Sequence, residues 1–255
     1  MRPFLTLAVV AAVVSAACTT KPASSDSTAD TGGQSGAGPN AGAVSGTPTG
    51  GATPAGGAGM SAADPDLAVI GAAGLPSGYM GRTDSKGQQI ANAKYVATAD
   101  RRWEVTTGPA HILYAPQDSA SGNYTVSTEI RQLAPSAHAE AYGLFIGGSG
   151  LDGESPRYTY FIVRGTGEFA LKVRDGAVAR DLKAFSANAA VPKADAQGLA
   201  TYRLAARSSA DSVRFMVNDR QVTAVARNSV PTDGIVGLRV NHNLRVSLTP
   251  VSIKR

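Results

Sequence analysis

The stretch Tyr158–Arg174, YTYFIVRGTGEFALKVR, limits the possible folds more than any other part of this chain. Two runs of alternating side chains flank Gly165-Thr166-Gly167, and alternation about a short glycine-containing loop predicts a β-hairpin. Folding the chain about that loop pairs Val163 with Phe169, Phe161 with Leu171, and Thr159 with Val173 on an apolar face. The opposite face pairs Arg164 with Glu168, Ile162 with Ala170, Tyr160 with Lys172, and Tyr158 with Arg174, so it is aromatic and charged. A hairpin this strongly two-sided needs a second layer against its apolar face.

The same period of two recurs on both sides of the hairpin. In Tyr124–Leu133, Tyr124, Val126, Thr128 and Ile130 share one face, and Thr125, Ser127, Glu129 and Arg131 share the other. Ile90–Ala97, Arg102–Thr107, Ala110–Tyr114, Thr201–Arg207, Val213–Val217, Gln221–Val225, Gly234–Val240 and Leu244–Ile253 are further predicted strands, with Pro116–Asn123 and Ala134–Glu140 as loops. The sequence around Leu67–Asp84 starts with LAVI, which suits an edge strand, and continues as loop; Gly176–Ala200 has no regular period. No segment carries helical apolar spacing. About a dozen short strands separated by Gly, Asn and Asp turns predict an all-β antiparallel sandwich. Its expected core includes Val126, Ile130, Leu144 or Phe145, Phe161, Val163, Phe169, Leu171, Phe215, Leu238, Val240 and Val246. The sole tryptophan, Trp103, reads as core or as a stacking platform.

The first 66 residues have a different character. Arg2 precedes an apolar run, Phe4–Val14, followed by Ser15-Ala16-Ala17 and then Cys18, the chain's one cysteine. Eleven residues at 1.5 Å each fall well short of the ~30 Å hydrocarbon core, so the run reads as a signal peptide. A lone cysteine after a small-residue site resembles the bacterial lipoprotein pattern, which implies a diacylated Cys18 at the mature N-terminus. Ser15 stands where that pattern usually has Leu, and Ser15-x-Ala17 also satisfies ordinary signal peptidase, so a secreted protein with a free thiol is the alternative. Thr19 rather than Asp after the cysteine implies the outer membrane, by resemblance to known lipoproteins. The 48 residues from Thr19 to Asp66 are rich in Gly, Ala, Ser, Thr and Pro, too poor in apolar surface to offset ordering entropy. They predict a flexible tether with a span on the order of 35–40 Å, leaving residues 67–255 as the folded domain.

Of the 24 Lys and Arg and the 19 Asp and Glu, two and four respectively precede residue 67, which leaves 22 against 15 and a net charge of +7 on the domain. That balance suits an anionic envelope. Nucleic acid is not the expected partner, because no basic cluster, recognition helix or zinc spacing accompanies the charge.

The order NYTVSTEIRQL, YGLFIGG, YTYFIVR-GTG-EFALKVRDG, a YRL/VRFMV meander and GIVGLRVNHNLRVSL resembles the concanavalin A-like lectin/glucanase superfamily over about Trp103–Ile253. Within it, the chain is most similar to bacterial lipoproteins with a 3-keto-disaccharide hydrolase-like domain. The resemblance implies a jelly roll whose concave face often binds carbohydrate. The superfamily's glucanases carry two Glu and one Asp at alternate positions of one strand, a pattern that this chain lacks. Its isolated carboxylates, Glu129 and Glu168, are the catalytic candidates, each needing a partner from another strand. Asp152 and Glu154, in the glycine-rich loop Gly147–Arg157, are oxygen ligands suited to Ca²⁺ but too few to hold it alone; otherwise no cofactor is expected. Tyr158, Tyr160, Lys172 and Arg174 combine aromatic rings with polar hydrogen-bonders and form the first ligand-binding candidate. Asn241 and His242, in a polar triplet between two strands, form the second. The sequence thus supports three readings: a non-catalytic module for a glycan or other polar polymer, a glycoside hydrolase or lyase, and a structural or protein-interaction domain. The lipoprotein reading has a direct test. The wild-type chain should fractionate with membranes and Cys18→Ser should be released or left unprocessed, whereas a soluble wild type with a titratable thiol would show ordinary cleavage.

Overall fold

The computed structural model describes residues 74–255; Cys18, the low-complexity segment and the LAVI stretch lie outside the described residues. The strands are β1 Met80–Thr83, β2 Lys94–Ala97, β3 Trp103–Thr106, β4 His111–Ala120, β5 Tyr124–Gln132, β6 Ala141–Ser149, β7 Arg157–Arg164, β8 Glu168–Asp175, β9 Val178–Ala187, β10 Ala200–Ser208, β11 Ser212–Val217, β12 Arg220–Ala226, β13 Gly234–Val240, β14 Arg245–Leu248 and β15 Ser252–Lys254. They build two antiparallel sheets. The first runs β1-β4-β13-β6-β7-β8-β9, and the second β12-β11-β10-β5-β14-β3-β2, with β15 extending β14 along β5.

The β7–β8 hairpin has the expected register at all seven of the predicted pairs, from Tyr158↔Arg174 to Arg164↔Glu168. Its apolar face lies between the sheets. There Phe161 stacks 5.3 Å from Phe215 of the second sheet and 6.2 Å from Phe169, and Tyr142 meets Tyr202 at 5.8 Å. Val126, Ile130, Leu144, Val163, Leu171, Leu238, Val240 and Val246 complete the same buried cluster. Leu144 takes the inter-sheet position, so Phe145 points the other way. Trp103 packs against the inter-sheet core, edge-on to Tyr79 at 4.7 Å.

The first sheet is apolar on its outer side too. Ile112, Tyr114, Phe145, Tyr158, Tyr160, Ile162 and Ala170 form a second buried cluster there. Gly237, on the interior strand β13, makes room for it: a Cβ at that position would lie 2.6 Å from the Phe145 ring and 2.3 Å from the Leu113 carbonyl.

Several segments depart from the sequence reading. Pro116 lies inside strand β4 rather than in a loop. β1 pairs only with His111–Tyr114 of that strand, and the β13 register shifts between Ile235 and Gly237. Pro116 therefore falls where the ladder is interrupted, and its missing N–H costs little. Met80–Thr83 and Val178–Ala187 are the two edge strands of the first sheet. Neither carries a clear alternation, because neither has a buried residue and so no face is set apart as core. Ile90–Asn92 forms a 3₁₀ turn before β2, and the predicted strand Leu244–Ile253 breaks at Thr249. There the Thr249 hydroxyl accepts from the Glu129 N–H at 2.9 Å, so a side chain replaces a rung of the ladder.

Phe161 bridges both sheets, so Phe161→Ala should lower the unfolding free energy by about 3–5 kcal/mol. Urea denaturation followed by fluorescence measures it, and an unchanged midpoint would contradict the inter-sheet placement.

Candidate functional site

The outer face of the first sheet gathers polar groups from four strands around its aromatic patch. β13 presents Arg239 there, on the side opposite Leu238 and Val240. Only 5% of Arg239 is exposed. Its two terminal nitrogens donate to the two carboxylate oxygens of Asp84, at 2.6 and 2.5 Å. Asp84 follows directly on edge strand β1, and its N–H donates to the Ala110 carbonyl, which carries the β1–β4 pairing one residue further. Arg174 of β8 reaches the same residue: Nη2 donates to the Asp84 carbonyl at 3.3 Å, and Nη1 lies 3.8 Å from a carboxylate oxygen. Arg174 Nε is held by the Gly176 carbonyl at 2.7 Å.

These charges settle one another. Burial disfavours ionised Asp84, but the hydrogen bond and charge of Arg239, with the charge of Arg174, outweigh it and hold the carboxyl below its ordinary range. Burial likewise disfavours charged Arg239, and Asp84 reverses that effect. A bidentate pair of this kind orients both partners as well as neutralising them.

Tyr158 and Tyr160 lie beside the pair. They are 3% and 7% exposed. Their rings pack 5.6 Å apart, Tyr158 packs 5.3 Å from Phe145, and the Arg239 guanidinium stands 5.6 Å over the Tyr160 ring. They are thus not an open stacking platform. Among the described residues neither hydroxyl has a hydrogen-bond partner, yet both reach solvent, since the one buried side-chain polar atom without a partner there is His242 Nδ1. Burial raises the pKa of both phenols, Tyr160 to about 12, so both remain O–H donors at neutral pH.

The two sequence-predicted binding groups meet through a residue that neither contained. Asn241 accepts from Arg239 Nε at 3.1 Å and donates to Glu140 at 3.1 Å, and His242 Nε2 lies 3.4 Å from the same carboxylate. Lys172 stands apart, paired with Asp181 at 2.9 Å. Asp84 and Arg239 carried no signal of their own: they lie 155 positions apart and become neighbours only through strand order.

The two catalytic candidates do not converge. Glu129 faces outward from the second sheet, 3.0 Å from Arg102 and 2.9 Å from Arg131. Glu168 faces outward from the first sheet, 2.7 Å from Arg164, where hydrogen bonds from Thr166 and Arg164 keep its pKa low. The full sandwich separates them, about 10 Å between sheets alone. Asp152 and Glu154 border a polar cleft of about 440 Å³ beside β1, which Arg82, Asp84 and Lys86 also line. Glu154 pairs with Lys86 at 3.2 Å. Among the described residues no three His, Cys, Asp or Glu side chains come together as a metal-binding group.

With this geometry, the domain is a concanavalin A-like jelly-roll β-sandwich. Among solved structures it is similar to the carbohydrate-binding module CBM66 from Bacillus subtilis, with a TM-score of 0.51 and 14% identity over 70% of this chain and 96% of that one. A Bacillus subtilis protein of unknown function with a galectin-like fold follows, with a TM-score of 0.49 and 12% identity over 69% and 88%. An alginate lyase, A1-II′, has a TM-score of 0.44 and 10% identity over 63% and 82%. No protein-family model matches the chain, and no curated protein matches it.

His111 lies behind the site and makes stability pH-dependent. The Pro109 carbonyl can only accept, so Nδ1 carries the proton at 2.9 Å, and Nε2 accepts from the Tyr95 hydroxyl at 2.6 Å. Burial, aided by the charge of Arg239 and opposed by Pro109 and Asp84, lowers its pKa from 6.5 to about 4. The unfolded chain then takes up a proton that the folded one refuses. Stability should fall by roughly 3 kcal/mol as pH drops from about 6.5 to about 4. Asp84 adds to the loss at still lower pH, because its depressed pKa makes its contribution vanish as the carboxylate is protonated. Urea titrations at pH 7, 5.5 and 4.5 measure the first slope, and His111→Gln should flatten it.

Proposed function

We propose that this chain is a cell-envelope lipoprotein whose jelly-roll domain binds carbohydrate or another polar polymer at the surface formed by Tyr158, Tyr160 and Arg174 beside Asp84 and Arg239. One observation carries the reading: two almost buried phenols keep hydroxyls that reach solvent and have no hydrogen-bond partner among the described residues, next to a fixed guanidinium pair. Water meets such groups in the free protein, and a polar ligand can take its place. Saccharides offer hydroxyl-rich edges to such groups and apolar C–H faces to the rings around them. The likeness to a carbohydrate-binding module is a likeness of fold, and supports the reading as analogy. The resemblance to 3-keto-disaccharide hydrolase-like lipoproteins supplies the competing reading, for which the carboxylates of this network are already engaged, Asp84 by two arginines and Glu140 by Asn241 and His242. Anchoring through Cys18 would keep the domain within tether reach of envelope polymers.

A glycan array and a glycoside-hydrolysis screen on the full chain test the proposal. Binding without turnover is expected, and Tyr158→Phe should weaken it about five- to tenfold, the loss of one hydrogen bond. Turnover would replace binding with hydrolysis as the function. Silence in both screens, with a protein partner recovered, would indicate an interaction domain.

A further inference from the structure

We infer that the group this surface receives is a carboxylate, so that the ligand is an acidic saccharide of the uronate class. The inference rests on the carbohydrate-binding reading and concerns its chemistry.

It follows from counting charges and unengaged polar groups. Both oxygens of Asp84 are occupied by Arg239, and the Asp84 carbonyl by Arg174. Asn241 Oδ1 is occupied by Arg239. Among the described residues these bonds leave unengaged the hydroxyls of Tyr158 and Tyr160, which can donate or accept, and Nη1 of Arg174, which makes no hydrogen bond there and has Asp84 Oδ1 3.8 Å away. Tyr158 and Arg174 are directly opposed on β7 and β8, so their Cβ atoms rise from one face about 5 Å apart. The Arg174 side chain is only 12% exposed. Two guanidinium groups out of bulk water share one carboxylate, which leaves one positive charge uncompensated where desolvation makes that costly. An ionised carboxylate only accepts, and its planar pair of oxygens suits a guanidinium edge with a phenol beside it. Lys172 does not complete the charge balance, because Asp181 already neutralises it.

The test uses the full chain and isothermal titration with three kinds of probe: tetragalacturonate and an oligoglucuronate, the same oligomers as methyl esters, and a 6-O-sulfated galacto-oligosaccharide. The esters keep the sugar skeleton and remove only the charge. The acids should bind at least tenfold more tightly than their esters, the difference of one charge-assisted contact, and added salt should narrow the gap. Arg174→Gln should abolish the preference. The double variant Tyr158→Phe/Tyr160→Phe preserves the packing and should also reduce it, which covers the case in which Arg174→Gln fails to fold. Esters binding as well as acids would overturn the inference and leave carbohydrate binding in place. Binding of the sulfated probe alone would overturn the choice of carboxylate. No binding by any probe overturns the inference, and an array without any neutral glycan hit would take the parent reading with it.

Discussion

Arg239 stands on an interior strand of a sheet that is buried on both faces, with Leu238 and Val240 of the same strand pointing into the inter-sheet core. A guanidinium in that position must be matched or it destabilises the fold by several kcal/mol. Asp84 matches it, and to do so the residues after β1 must stay close against the outer face. The pair therefore ties a four-residue edge strand to the middle of the sheet and fixes where Arg174 and Asn241 find their partners. The polar groups of the outer face are arranged around that one contact.

The outer face is unusual for an antiparallel sheet, which commonly has one solvated side. Here Tyr158, Tyr160, Ile162 and Phe145 make it a second, shallower core. Rings packed in this way lose rotamer freedom in advance, so a ligand meeting their hydroxyls has little ordering entropy left to overcome. The low pKa of His111 fits the same picture: the layer beneath the site is dry enough to keep an imidazole neutral.

Much of the fold was legible in the sequence because alternation is local. The β7–β8 register, the face of β5 and the inter-sheet core all follow from a period of two, and a period of two survives without knowledge of neighbours. The edge strands β1 and β9 were not legible, since neither buries a residue and so neither has to alternate, and Pro116 was misread because the bulge that tolerates it, on β4 between Tyr114 and Ser119, shows only in the pairing with β13. The site was half legible. Tyr158, Tyr160 and Arg174 could be placed together from hairpin pairing alone. Asp84 and Arg239 could not, because β1 and β13 are joined only through β4, a pairing of distant segments that no spacing encodes.

The exposed edge at β9 has a consequence of its own. Ten residues of backbone there end the sheet with N–H and C=O groups that no further strand covers, a template onto which another chain could add. Two register shifts along the β8–β9 ladder, on either side of Leu171, bend that edge, and Arg180, Asp181 and Lys183 place charges along it. Bulges and charges of this kind discourage strand addition. The irregularity of β9 guards against polymerisation: among the described residues the sheet stops at seven strands instead of continuing into a neighbouring molecule.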